Sequence, residues 1–161
     1  MEAEETLILP IFDDVVPVEH VWPVDAHWPI FRAEALLKRF RAKFPDLHYD
    51  LFWETRLMNA QAFIGPLGRC VRLYGGLARH RSVGIEGLAF ALAHETGHHV
   101  GGPPYHPCYL SISSEERANE WAAECGLPLV FGDKVGRRYA SSGLRQLDKL
   151  SKYYSINAPI V

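Results

Sequence analysis

The residues best suited to chemistry lie in one short stretch, Phe90-Ala-Leu-Ala-His-Glu-Thr-Gly-His-His-Val100. Within it, His94, Glu95 and His98 make an H-E-x-x-H pattern. On a helix, residues four apart stand one turn above each other, so His94 and His98 can offer imidazole nitrogens to one cation. Glu95 follows the first of them and can act as a general base toward water that the cation activates, without filling the open coordination position. The residues before His94 are almost all apolar, which places the pair where a buried helix emerges into a cleft. A buried imidazole needs a polar partner, and a metal supplies one. His99 is five residues past His94 and turned away from it; it is expected to be an exposed neighbour or a substrate-side group.

A catalytic zinc takes three protein ligands and keeps a fourth position open. Candidates for the third ligand are His106, Cys108, Glu115, Glu116 and Glu120. On a helix Glu115 and Asn119 share a face, so the carboxylate can bind the metal while Asn119 holds a ligand imidazole from behind. Ala118 is small enough to let the two helices approach closely. Glu116 is better explained by a capping box with Ser113, in the S-x-x-E pattern. Cys108 lies on the loop joining both segments; its thiolate could take the fourth position and silence the site, or it could be a small buried hydrophobe. Cys70 and Cys125, with core-like neighbours, read as packing residues. Tyr105, His106 and Tyr109 on the same loop could stabilise an oxyanion or serve as lid contacts.

The elements that must position these groups are legible in outline. Residues 30–44 carry apolar residues at 30, 31, 36, 37, 40 and 44 and end at Pro45, which predicts a helix. Residues 47–55, 59–65 and 69–77 are short aromatic and β-branched runs between turn residues, predicting strands of a small sheet. The strand around 70–76 could hold an extended peptide by edge addition. Residues 84–102 predict the helix bearing His94, stopped by Gly101-Gly102. Residues 113–126 predict the next helix, with Gly126 past its end and Pro128 forbidding continuation. Leucines at 144, 147 and 150 predict a last amphipathic helix. Residues 1–29, acidic and with prolines at 10, 17, 23 and 29, read as an extended arm before a metallopeptidase domain at 30–161. The expected class is α+β: an N-terminal helix, a sheet of three to four strands, two motif-bearing helices and a C-terminal helix.

The 161 residues suit one domain with a real core. Three scattered cysteines make no disulfide framework and fit a reducing compartment. The N-terminus is no signal peptide and no apolar run approaches spanning length, so a cytoplasmic protein without membrane association is expected. Residues 31–81 hold ten Lys and Arg against four Asp and Glu. Arg32, Arg39, Arg41, Arg79 and Arg81 could therefore contact nucleic acid, although a plain solvated helix face shows the same pattern.

The paired motifs resemble those of the ImmA/IrrE-type gluzincin metallopeptidases, whose second motif runs E-x-x-A-N/D, then aromatic-Ala-Ala, then Leu-Pro. Here those positions are Glu115, Ala118 and Asn119, then Trp121-Ala-Ala, then Leu127-Pro128. Residues 59–77 resemble the strands that precede the active-site helix in that family and in M48-like peptidases. The resemblance spans roughly residues 55–130. It implies a compact gluzincin-like fold, Zn2+ held by His94, His98 and Glu115, a catalytic Glu95, and Asn119 behind the ligands. It also implies an intracellular endopeptidase that cleaves a helix-turn-helix repressor protein. The small size resembles the peptidases paired with repressors in CBASS anti-phage operons, for which single-stranded DNA is the implied activator. The acidic segment 1–29 has no counterpart in the family. Rival readings are a general cytosolic M48-like metalloprotease and a non-catalytic scaffold binding zinc or nucleic acid.

Overall fold

The computed structural model describes residues 6–7 and 14–157, which form an α+β fold. In chain order the elements are β1 (Thr6–Leu7), β2 (Asp14–Val15), α1 (His27–Lys43), β3 (His48–Phe52), β4 (Leu57–Met58), β5 (Ala60–Gly65) and β6 (Gly68–Tyr74). They continue with α2 (Gly75–Ala78), α3 (Ile85–Val100), β7 (Tyr105–His106), β8 (Tyr109–Ser113), α4 (Glu115–Trp121), α5 (Leu127–Phe131) and α6 (Asp133–Asn157). The main sheet has the order β1-β5-β6-β3. β5 and β6 are an antiparallel hairpin, whereas β3 runs parallel to β6. The strand expected to take a peptide along its edge, β6, is therefore interior, with both sides paired. The outer strands are β1 and β3, and β1 sets Thr6 opposite Ile64 and Leu7 opposite Phe63 on the far side of β5.

α3 is the central element. Every residue from Gly87 to His99 is buried, and the helix packs on β5, β6, β8, α4 and α6. Its apolar half, Leu88 to Ala93, joins one core with Leu36, Leu37 and Phe40 of α1, Val71 and Leu73 of β6, and Leu147 and Leu150 of α6. α6 crosses closely at Gly143, where an added Cβ would stand 2.4 Å from the Glu86 carbonyl. From α6, Gln146 Oε1 accepts the backbone N–H groups of Gly84 and Gly87, satisfying donors that the first turn of α3 leaves open.

Several expectations are corrected. α1 begins at His27, because Pro29 in a first turn breaks no hydrogen bond. Its buried face runs through Pro29, Arg32, Ala33, Leu36, Leu37 and Phe40, which leaves Phe31 exposed. The helix after Ser114 does not stop at Gly126. A π turn at Ala122–Gly126 widens the backbone and leads through Pro128 into α5, which ends at Gly132 with φ +83°. Gly126 serves packing, since a Cβ there would lie 2.5 Å from the Trp121 ring. Cys125, expected among core neighbours, is exposed, while Cys70 is buried. The last helix starts at Asp133, and Leu144 is exposed where Ala140, Leu147 and Leu150 are buried.

Residues 1–5 and 8–13 of the expected arm lie outside the described residues. The part from Asp14 onward is packed: β2 pairs with β4, and Val16 and Val21 join the core. Arg79 fastens it. Buried in the fold, its guanidinium donates to the carbonyls of Trp22, Trp53, Glu54 and Thr55 at 2.8–3.2 Å. Replacing Arg79 by Ala leaves these acceptors without their donor, and should lower the unfolding free energy by about 3 kcal/mol in urea denaturation. Arg81→Ala, which removes no hydrogen bond to the backbone, should change it far less.

Candidate metal centre

His94 and His98 stand one turn apart on α3, and Glu115 opens α4 opposite them. His94 Nε2 and His98 Nε2 are 3.1 Å apart. Glu115 Oε2 lies 3.1 Å from His94 Nε2, and Glu115 Oε1 lies 3.3 Å from His98 Nε2. Ligands about 2.0 Å from a tetrahedral cation are separated by roughly 3.3 Å, the edge of the tetrahedron, so these spacings match one face of such a site.

The far nitrogens show which electron pairs point inward. His98 Nδ1 is 2.8 Å from the Ser113 carbonyl, which can only accept, so Nδ1 carries a proton. His94 Nδ1 likewise donates to Asn119 Oδ1 at 2.8 Å. When neutral, both imidazoles therefore aim Nε2 lone pairs at each other and at a carboxylate. Three electron-pair donors at hydrogen-bond distance need a positive charge between them. The proton affinities reflect this demand. For Glu115 burial pushes the pKa up, but the His94 and His98 rings outweigh it and hold the carboxyl well below the usual range. Burial alone would lower His98, yet Glu115, Glu95 and the Ser113 carbonyl raise it. Two imidazoles and a carboxylate are a donor set that suits zinc, so the residues fit the ion that the sequence pattern implies.

The α3–α4 junction sets this geometry. Ser114 caps α4, its Oγ accepting from the Arg117 N–H, so the cap falls one residue after the expected Ser113. Ser113 is instead buried, donating its hydroxyl to the Gly102 carbonyl at 2.7 Å. Arg117 Nε donates to the Gly101 carbonyl at 2.8 Å and ties the start of α4 to the end of α3. A Cβ on Gly97 would stand 2.9 Å from the Ala118 carbonyl, so the small pair Gly97 and Ala118 sets the closeness of the two helices.

Glu95 is buried beside the cluster, its carboxylate 4.0 Å from His94 Nε2, and it accepts the Ala62 N–H of β5. Burial raises its pKa against the opposing pull of His94 and His98. His94, Glu95 and His98 bring one ligand atom each within 4.8 Å of one another. His99 is buried rather than exposed, donating Nε2–H to the Cys70 carbonyl at 2.8 Å. Burial lowers its pKa to about 4, so it is a neutral strut between α3 and β6.

The remaining candidates are placed differently. Cys108 is exposed in the turn between β7 and β8, and its thiol makes no bond to the cluster. The hairpin pairing of His106 with Tyr109 sets it at the tip. Tyr105 is exposed, His106 and Tyr109 are half-buried, and the rings of the last two lie 5.1 Å apart. Of the five arginines offered to nucleic acid, Arg32 and Arg79 are corrected: both are buried and donate to backbone carbonyls, Arg32 to Ala78 at 3.2 Å. Arg39 lies over Phe131, Arg41 donates to the Tyr49 carbonyl, and Arg81 lies over Trp22.

Three supports were missed from sequence: the Ser113 carbonyl, the Ala62 N–H and Gly97. The first two are backbone groups without a sequence signal. Gly97 had one, since a glycine within a helix costs about 1 kcal/mol relative to Ala and calls for a packing reason. Comparisons with protein-family models, curated proteins and solved structures gave no match.

The purified chain should bind about one zinc, as three converging ligands require. Glu115→Ala should abolish stoichiometric binding in a competition titration with a chromogenic chelator. Asn119→Ala should weaken it by about 10–100-fold, the range for a partner that orients a ligand imidazole.

Proposed function

We propose that the chain is a zinc-dependent endopeptidase of compact, gluzincin-like ImmA/IrrE type. The observation that carries this reading is Glu95: a buried carboxylate beside the two imidazoles and Glu115, held by a backbone N–H, with its proton affinity raised. A structural zinc site closes with four protein ligands and has no use for such a base. Three ligands and an adjacent carboxylate are the arrangement of a hydrolytic site.

Bound zinc would supply Lewis acidity and acidify water to near neutral pH. The protein does the rest. Burial keeps the Glu95 carboxylate thirsty for a proton, and the Ala62 N–H fixes its orientation. Glu95 can thus take a proton from water and hand it to the leaving amine. Asn119 and the Ser113 carbonyl keep both imidazoles turned toward the cluster. Because Ala62 lies on β5, an extended peptide pairing with β5 beyond Phe63 and Ile64, the two positions that β1 takes, would pass beside Glu95. β8 packs on α3 and leads through Ser114 into Glu115, so Tyr105, His106 and Tyr109 of the hairpin are the candidates to contact such a peptide from above.

The resemblance, rather than the geometry, adds the substrate: one partner protein, a helix-turn-helix repressor, cleaved in the cytoplasm during an anti-phage or DNA-damage response. Single-stranded DNA as activator comes from the same source, and Arg39, Arg41 and Arg81 are the exposed residues left for it. Inhibition by Cys108 would require the β7–β8 turn to fold inward, a change that zinc–thiolate affinity would favour.

Glu95→Gln should retain zinc and fold while cleavage of the partner, followed by mass spectrometry, falls by at least about 10²-fold. Cleavage at the wild-type rate would refute the role of Glu95 as base.

A further inference from the structure

A cavity of about 490 Å³ opens between the 3-10 turn Val18–His20, the loop after α2 and the C-terminal half of α6. Gln146, on its wall, bonds the N-terminus of α3. From Ile85 to His94 the helix rises roughly 14 Å, so the cavity is a second place in the molecule, distinct from the metal-ligand cluster.

Four of its groups form a hydrogen-bond chain of fixed direction. The Ser82 N–H can only donate, so His80 Nδ1 accepts it at 3.1 Å and His80 carries its proton on Nε2. That proton goes to the Tyr154 hydroxyl at 2.8 Å, and the hydroxyl donates in turn to His20 Nδ1 at 2.8 Å. His20 is left with an Nε2–H donor that has no bonding partner among the described residues. Burial, reinforced by His20 and Arg32, lowers the His80 pKa to about 4, so the direction persists at neutral pH.

Two cations also line the cavity. Arg81 lies 4.0 Å over the Trp22 ring, and neither Arg81 nor Lys149 has an ion-pair partner among the described residues. Glu19 is the one carboxylate among the described residues of the lining, and against it stand Arg81 and Lys149. Leu150 and the aromatic edges of Tyr153 and Tyr154 give the rest of the wall an apolar, ring-lined character. Unpaired donors of this kind suit phosphate oxygens, and tyrosine rings suit a flat body. The volume exceeds what an inorganic ion fills and falls in the range of small-molecule sites.

We propose that this cavity binds a small organic phosphate carrying a flat ring, of nucleoside monophosphate size, with His20, Arg81 and Lys149 holding the phosphate. The inference does not depend on the peptidase reading.

Titration calorimetry on the full chain tests it, using adenosine, guanosine, cytidine and uridine monophosphates against inorganic phosphate and the free nucleosides. At least one monophosphate should bind about tenfold or more tighter than inorganic phosphate and than its own nucleoside. The Arg81→Ala/Lys149→Ala double variant, altered only at exposed positions, should weaken that binding at least about tenfold while its melting temperature and zinc content stay unchanged. Monophosphates that bind no tighter than inorganic phosphate would overturn the proposal. Binding that the double variant leaves intact would overturn it equally.

Discussion

Two imidazole lone pairs and a carboxylate meet at 3.1–3.3 Å, and that convergence is the constraint on which the rest of the site depends. Left alone it is repulsive, and a cation relieves it. The geometry is not imposed by the cluster itself, because each inward-facing nitrogen is aimed by a bond on the opposite side of its ring. The Asn119 side chain holds His94, and the Ser113 carbonyl holds His98. Both come from the segment that also delivers Glu115. A single rigid junction between α3 and α4 therefore sets all three donors at once.

Burial makes that junction demanding. α3 carries five polar residues, His94 to Thr96, His98 and His99, through a region with almost no solvent contact. An unpartnered polar group there costs about 1–3 kcal/mol, and each of the five residues has at least one partner, His99 through Nε2 while its Nδ1 has none. The Tyr49 hydroxyl of β3 donates to Thr96, whose own hydroxyl is spent on the Leu92 carbonyl. β6 receives His99 through the Cys70 carbonyl, and β5 gives Glu95 the Ala62 N–H. The sheet thus serves the site by supplying backbone groups at fixed heights along the helix. The same low-polarity surroundings raise the proton affinity of Glu95 and make a base of it.

Much of this was legible beforehand because it rests on local spacing. The i,i+4 histidine pair, the helix bearing it, and the shared face of Glu115 and Asn119 follow from helical periodicity alone. Strand positions were readable from short β-branched runs, but their order was not. Nothing local in Arg69–Tyr74 shows that β3 will pair in parallel on one side and β5 on the other, so the sequence does not distinguish an interior β6 from an edge. The burial of Arg32 and Arg79 is hidden for a related reason. A basic residue in a basic stretch looks solvated, whereas these two serve carbonyls from segments up to 57 residues away in sequence. Pro128 does not stop the chain because a stop signal presumes α-helical geometry, which the preceding π turn relaxes. Cys108 lay between the two motifs in sequence, but the hairpin turned it outward.

If His94, His98 and Glu115 form a cation cage, anomalous diffraction at the zinc edge from zinc-loaded crystals must find the ion there. One strong peak is expected between the three side chains, about 2.0–2.2 Å from His94 Nε2, His98 Nε2 and a Glu115 carboxylate oxygen. A peak elsewhere in the chain, or none at this cluster from protein carrying stoichiometric zinc, would contradict it.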